Sequence, residues 1–306
     1  MPNGWQRISS RGVEVEVPAS WPINSWSGCE PAPEALVVRG QGVVAGCGND
    51  SPVHSLVTIE RASVPPDSSV RAFQPGAKLS TVAAMLDGVP AQRRTSTLPN
   101  GQRHVELTVP GHDVALSATS SDDVLLEQIL SSVHLVDVDS AGCATRLPTP
   151  APWDVRRSGP AVDLAAEGAP SSMAVCAYEQ DGIDSSLDAT PSPEPTQAST
   201  ATLSASSVLT GDALTQAVAA IDDAAPGPVP DLSARECLAG PDRAPLLLSA
   251  HYPSGGTMDV RIRYSTCTDR WTATPHGTSQ VTMAQLAALL GPLHIGYATL
   301  GSLPGR

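Results

Sequence analysis

Residues 244–267 read APLLLSAHYPSGGTMDVRIRYSTC, and this stretch is the clearest β-hairpin signal in the chain. After the Gly255-Gly256 pair, apolar and charged residues alternate through Met258, Asp259, Val260, Arg261, Ile262, Arg263 and Tyr264. A period of two is typical of a strand with one buried face, and a glycine pair between two such runs is typical of a hairpin turn. The stretch therefore predicts two antiparallel strands in the second half of the chain.

Short strands and helices are predicted around this hairpin. The run SSMAVCAYE at 171–179 predicts a strand, and the apolar spacing of residues 210–227 predicts a helix. Residues 282–291, TMAQLAALLG, predict a final helix that opens with a capping box and stops at its glycine. Residues 185–207 are rich in Pro, Ser and Thr with almost no large apolar residue, which predicts a disordered insertion.

The first half also combines strands with helices. RGVEVEVP at 11–18 alternates valine with glutamate and predicts a strand, as do ALVVRG at 35–40 and HSLVTIER at 54–61. Three further strands, in QRRTSTL, QRHVELTVP and VALSATS, predict an antiparallel meander between residues 92 and 120.

Two helices are predicted in this half. AKLSTVAAMLDG at 77–88 has Leu79, Val82, Ala83 and Leu86 at helical spacing, with Gly88 as the stop. SSDDVLLEQILSSVHL at 120–135 closes the half, and there we expect Ser121 as the cap. Its inward stripe is expected at Val124, Leu125, Ile129 and Val133.

The polar, proline-bearing segment that starts at residue 139 suggests a boundary between two domains. We predict α+β domains at 1–138 and 139–306, each a small antiparallel sheet with one or two packed helices, stapled by disulfides. The length of 306 residues is sufficient for two cores.

Composition narrows the function classes. The net charge of −13 and the absence of arginine clusters larger than a pair argue against nucleic-acid binding, which needs a concentrated positive surface. No apolar run approaches the ~20 residues of a membrane-spanning helix. One lysine stands beside seventeen arginines, and Ala, Gly and Pro are frequent, which is typical of a GC-rich genome such as an actinobacterial one.

Six cysteines are spread along the chain, at Cys29, Cys47, Cys143, Cys176, Cys237 and Cys267. No C-x-x-C spacing occurs, so neither a zinc site nor a redox motif is indicated. Pairing within the predicted domains leaves three connectivities, all with Cys29–Cys47. Chain order favours Cys143–Cys176 and Cys237–Cys267 for the other two. Disulfides imply an oxidising compartment, whereas six free thiols would imply the cytoplasm.

The sequence points to no reaction. It contains no G-x-S-x-G, no G-x-G-x-x-G and no phosphate-binding G-x-x-x-x-G-K, so we expect no catalytic residue, no metal and no cofactor. An alternative is a secreted hydrolase with a site assembled from His251, Asp259 and Ser254. Trp5, Trp21 and Trp26 either cap a small sheet or form an aromatic platform for a ligand.

The first half resembles the PsbP-like α+β fold of secreted actinobacterial proteins and lipoproteins. The resemblance rests on GWQRISSRGVEVEVPASWP (4–22), LDGVPAQR (86–93) and ILSSVHLV (129–136). The second half resembles other actinobacterial extracytoplasmic domains through its C-x-Y strand, its LTGDAL helix and the cysteines on either side of the Y-x-x-G hairpin. The resemblance implies fold and location and carries no catalytic residues. The chain departs from that pattern in lacking a leader and a lipobox cysteine.

We therefore expect a non-enzymatic extracytoplasmic protein of the cell envelope that binds a ligand or a protein partner, with no specific role indicated. The start MPNGWQRIS has neither the basic region nor the apolar core of a leader, and taken alone it favours a cytoplasmic accessory protein with free cysteines. The cysteine pattern favours the extracellular or envelope location.

Overall fold

The computed structural model is rich in β-sheet and has three α-helices in the part of the chain that it describes. That part comprises residues 3–24, 33–39, 54–63, 80–98, 100–148, 162–166, 168–180, 200–226, 246–264, 270–273 and 278–294. Residues Met1–Ser140 form one compact unit and Ala141–Leu293 a second. That these units are independent domains stays a prediction. Within the described stretches, no helix is both long enough and apolar enough to cross a lipid bilayer.

The described residues of the first unit form two sheets and one α-helix, not the single antiparallel sheet predicted. A three-stranded sheet has the order β1-β2-β9, built from β1 (Trp5–Ser10), β2 (Val13–Pro18) and β9 (His134–Leu135). A six-stranded sheet has the order β3-β4-β8-β7-β6-β5, with a parallel pair at β3 and β4. Its strands are β3 (Ala35–Arg39), β4 (Ser55–Glu60), β5 (Ser80–Leu86), β6 (Val89–Thr97), β7 (Arg103–Val109) and β8 (Val114–Ser120). The predicted strands at 11–18, 35–40 and 54–61 and the predicted meander are confirmed.

The core of this unit lies between the six-stranded sheet, the three-stranded sheet and helix α1 (Asp123–Ser131). Valines 13, 15 and 17 of β2 are buried, as the alternation in the sequence predicts. They share one apolar cluster with Val57, Val105 and Leu116 of the larger sheet and with Leu126 and Ile129 of α1. Burial of these branched side chains is the main stabilising contribution in a chain with a single phenylalanine.

The predicted helix at 77–88 is wrong, because residues 80–86 form strand β5, which pairs with β6 from Ser80↔Thr95 to Leu86↔Val89. The turn between them is Asp87-Gly88, with φ values of 49° and 81°. Positive φ at both central residues is the signature of the two-residue hairpin turn that favours Asp-Gly. The helical spacing of a short alanine-rich run is weak evidence beside that turn.

Helix α1 is confirmed, but its cap and its buried face differ from the prediction. Asp122, not Ser121, is the N-cap, and its Oδ1 accepts hydrogen bonds from the backbone of Val124 and Leu125 at 2.9 and 3.0 Å. Val124 is 69% exposed, and Leu126 takes its place in the core. The buried residues of the helix are thus Leu126 and Ile129, three positions apart on one face, and Val133 is buried just beyond its end. His134, expected on this helix, lies in β9.

The second unit is built on one eight-stranded sheet with the order β10-β12-β11-β14-β15-β16-β17-β13. Its strands are β10 (Arg146–Pro148), β11 (Ser172–Gln180), β12 (Thr200–Leu209), β13 (Ala225–Pro226), β14 (Leu246–His251), β15 (Thr257–Tyr264), β16 (Arg270–Ala273) and β17 (Thr278–Gln280). Helices α2 (Gly211–Asp222) and α3 (Met283–Leu290) contact each other.

The predicted hairpin is confirmed as β14 and β15, and the predicted strand at 171–179 is β11. Helix α3 has the predicted capping box of Thr282 and Gln285. The predicted disordered insertion at 185–207 is wrong for residues 200–207, which lie in β12 between β11 and β10. Its remaining residues, 185–199, lie outside the described part of the chain.

The corrected cap of α1 can be tested by two neighbouring substitutions. Asp122→Ala should lower the free energy of unfolding by about 1 kcal/mol, because two backbone N–H groups lose their acceptor. Ser121→Ala should change it far less, since Ser121 is exposed and makes no cap hydrogen bond. Urea denaturation of both variants measures the difference, and a larger loss for Ser121→Ala would contradict the assignment.

Candidate functional site at the β5 edge

Strand β5 is the outer strand of the six-stranded sheet and differs from the strand at the other end. At that end, the backbone of β3 is bonded to the segment 22–24. Val37 donates to the Pro22 carbonyl at 2.9 Å, and the Asn24 N–H reaches the Val37 carbonyl at 2.8 Å. In the described part of the chain, β5 pairs only with β6. The outer side of β5 is therefore the candidate site for adding a further strand.

The side chains of β5 are uncharged and mostly exposed. Val82 is 52% exposed and Met85 is 64% exposed. Because side chains alternate along a strand, these two lie on opposite faces of the sheet. Ala84 and Leu86 are half-buried and pack against the core at the turn end of the hairpin. Natural edge strands are commonly protected by charge or proline, and the sequence STVAAML has neither.

The register shows which backbone groups of β5 face outward. A two-residue hairpin closes with a hydrogen-bonded pair, here Leu86↔Val89, and such pairs alternate with non-hydrogen-bonded ones. Met85 is then in a non-hydrogen-bonded pair with Pro90, which suits a residue without an N–H. It follows that the N–H and C=O groups of Thr81, Ala83 and Met85 point away from β6.

Among the described residues, the two arginines of the neighbouring strand β6 are paired within the first unit. Arg93 of β6 contacts Glu127 of α1 at 3.2 Å, and Arg94 contacts Glu106 of β7 at 3.5 Å. The Glu127 carboxylate also forms an ion pair with the Arg103 guanidinium, at 2.9 Å. Surface ion pairs of this kind contribute little to stability. Their consequence here is a locally neutral edge, suited to backbone pairing rather than to charge recognition.

On the face of the sheet opposite the core, buried polar side chains lie in register across three strands, β4, β8 and β7. On β4 and β8, Thr58 and Ser117 are hydrogen-bonded through their hydroxyls at 2.6 Å. The next row pairs the His104 Nδ1 of β7 with the Thr119 hydroxyl of β8 at 2.8 Å. Each of these four residues is at most 9% exposed. These contacts satisfy polar groups that would be costly to bury alone.

Burial also determines the charge state of His104. Desolvation lowers the pKa of the His104 imidazole, and the neighbouring Glu106 carboxylate only partly opposes this. The imidazole is therefore neutral at neutral pH. A neutral histidine bonded to a threonine within a sheet is a structural element.

One predicted disulfide is present. Cys143 and Cys176 are bonded, and both lie in a buried cluster with Tyr178 of β11 and Leu203 of β12. The bond links the segment that precedes β10 to strand β11, which lies between β12 and β14. The other predicted bridges, Cys29–Cys47 and Cys237–Cys267, lie outside the described residues, as does Trp26.

Two of the three tryptophans of the predicted platform, Trp5 and Trp21, lie in the described part of the chain. Trp21 is 8% exposed and belongs to the core of the first unit, and Trp5 is half-buried against that core. Trp21 thus presents no open indole face. The aromatic platform as a whole stays a prediction.

The residues of the alternative hydrolase site are not joined to one another. The Asp259 carboxylate accepts a hydrogen bond from the Ser249 hydroxyl at 2.6 Å across β14 and β15. The backbone carbonyl of His251 accepts a hydrogen bond from the Ser171 N–H, and Ser254 is exposed in the turn. Among these described residues, no side-chain hydrogen bond links His251, Asp259 and Ser254.

Strand β5 is hidden in the sequence by the helical spacing of residues 77–88, which predicts a helix there. The signal that identifies it is the Asp87-Gly88 pair between two runs of strand-forming residues, which predicts a hairpin.

The neutral state of His104 predicts a pH dependence of stability. Because its pKa is lowered in the folded state, the unfolded chain, with a pKa of about 6.5, takes up the proton more readily. This contribution to stability is complete above that value and is lost as the pH falls below it, through the lower pKa of the folded state. The free energy of unfolding should fall less on acidification in His104→Gln than in the wild type. Identical pH profiles for His104→Gln and the wild type would contradict the prediction.

Comparison with known proteins supplies no relative for this chain. No protein-family profile, no curated protein and no solved structure matches it. The PsbP-like resemblance stays a prediction, and a functional proposal has to rest on the geometry described above.

Proposed function

We propose that this protein is a non-enzymatic, extracytoplasmic binding protein of the cell envelope, which takes an extended segment of a partner onto the outer side of β5. The observation that carries the proposal is the exposed, uncharged edge of β5. Strand addition of this kind draws its affinity from main-chain hydrogen bonds and its selectivity from alternate side chains. Val82 and Met85 would supply apolar contacts on the two faces.

The Cys143–Cys176 bond supports the extracytoplasmic location. A buried disulfide of this separation, 33 residues, contributes about 3–4 kcal/mol in the chain-entropy model. Structural disulfides persist in oxidising compartments, whereas cytoplasmic thiols are kept reduced. The arginine-rich, lysine-poor composition supports an actinobacterial source.

The location can be tested on protein isolated from its native host. The protein is alkylated with iodoacetamide under denaturing, non-reducing conditions and analysed by mass spectrometry after digestion. We expect the peptides of Cys143 and Cys176 to be joined and unalkylated, because the bond forms before isolation. A sample reduced first provides the control for alkylation efficiency. Full alkylation of both cysteines without reduction would overturn the proposed compartment.

The binding edge can be tested with extended peptides. Uncharged peptides selected from a displayed random library on the wild-type protein are measured by fluorescence anisotropy. Ala83→Pro should weaken their binding by roughly tenfold or more, because it removes an outward N–H while an edge strand tolerates proline. Val208→Lys is the matched control, since Val208 is a similarly exposed apolar residue on β12. Peptides that bind Ala83→Pro and the wild type equally would contradict the site.

A further inference from the structure

The side of β5 that faces away from β6 is complementary to itself. Antiparallel strands join where outward-pointing residues face one another, and each such pair exchanges two hydrogen bonds. On β5 those residues are Thr81, Ala83 and Met85, as the register with β6 requires. A second copy placed with Ala83 opposite Ala83 aligns Thr81 with Met85 on both sides of the centre. All three outward residues of each strand are then paired, which no shifted register achieves.

The side chains suit this register. At the centre two alanines meet, so the strands can approach without a bulky contact. In the intervening pairs, Val82 lies opposite Ala84, a large residue against a small one. Residues that face each other across an antiparallel pair lie on the same face of the sheet. The apolar face formed by Val82 and Ala84 therefore continues from one copy into the other.

The absence of charge on β5 permits a second copy at this edge. The chain carries a net charge of −13, so two copies repel each other in most orientations. The seven residues of β5 carry no charge, and the arginines beside them are paired with glutamates. Like charges therefore never face each other across the shared strands, where they would be destabilising.

We propose that two copies of this chain associate through antiparallel pairing of β5 with β5, centred on Ala83, to join two six-stranded sheets into one. This inference rests on the proposed binding edge and names its partner. A two-fold arrangement uses both edges and closes, so it does not lead to a filament. One strand pair buries a small area, and we expect weak association, in the range of transient complexes.

The test is a pair of double variants that differ only in the sign of the charge at position 81. In Thr81→Lys/Met85→Lys, like charges face each other twice across the two-fold axis, and dimer formation should fall by roughly tenfold or more. In Thr81→Glu/Met85→Lys, opposite charges face each other in the same two places, and the dimer should be retained or strengthened. Both positions are exposed, but residue 81 lies opposite Arg94 of β6 within each copy, so thermal unfolding of both variants checks that the fold is retained. Sedimentation equilibrium over a wide concentration range measures the association, with Val208→Lys as the control.

Amide hydrogen exchange followed by NMR tests the register. The amides of Thr81, Ala83 and Met85 should become protected as the concentration rises, while those of Val82 and Ala84 should not change. A wild-type chain that stays monomeric throughout, or two double variants with equal association, would overturn the proposal. If uncharged peptides still bind the β5 edge of such a monomer, the second copy is excluded as partner while the proposed function stands. If neither association nor peptide binding depends on Ala83, both fail.

Discussion

The pairing of β5 with β6 is the interaction on which the proposed function depends. It extends from Ser80↔Thr95 to Leu86↔Val89 and closes at a two-residue turn with positive φ at Asp87 and Gly88. Because a shift by one residue would reverse every side chain and every backbone group, this turn determines which groups reach the outer edge. The position of Pro90 opposite Met85 agrees with the register, since that place requires no donor from β6.

In strands β4, β8 and β7 of the six-stranded sheet, the two faces have different chemistry and are both largely buried. One face contributes Val57, Val105 and Leu116 to the core. The other carries hydroxyl and imidazole groups paired across strands, such as Thr58 with Ser117. Strict alternation in the sequence normally indicates one buried and one solvated face. Here the polar face is also buried. Its hydroxyl and imidazole groups therefore need hydrogen bonds across the strands in place of hydrogen bonds to water.

Local signals predicted much of the fold. The glycine pair at 255–256, the capping box of α3 and the alternation of β2 are each decided by residues close in sequence, and the structure confirms the elements they predict. Errors occurred where two local signals competed. Residues 77–88 offer a helical apolar spacing and an Asp-Gly turn, and the turn prevails because it permits pairing with β6.

Other features depend on tertiary contacts that a sequence does not display. Residues 200–207 have too few apolar side chains to form a strand alone, yet β12 lies between two strands that satisfy its backbone. The Cys143–Cys176 pair was among three open connectivities, since spacing alone does not determine which sulfur atoms meet. The contact between Ser249 and Asp259 likewise follows from the register of β14 and β15, which the hairpin turn alone leaves open.

An exposed, uncharged edge is a hazard for a folded protein, because unpaired strands invite aggregation. Two properties of this chain limit the hazard. The net charge of −13 keeps copies apart at distances beyond contact, and the short length of β5 restricts any pairing to a few hydrogen bonds. Repulsion at long range with attraction only at one short edge favours a single defined contact over indiscriminate association. The absence of a protecting charge on β5 is therefore consistent with selection for binding, since one lysine at Val82 or Met85 would suffice to block the edge.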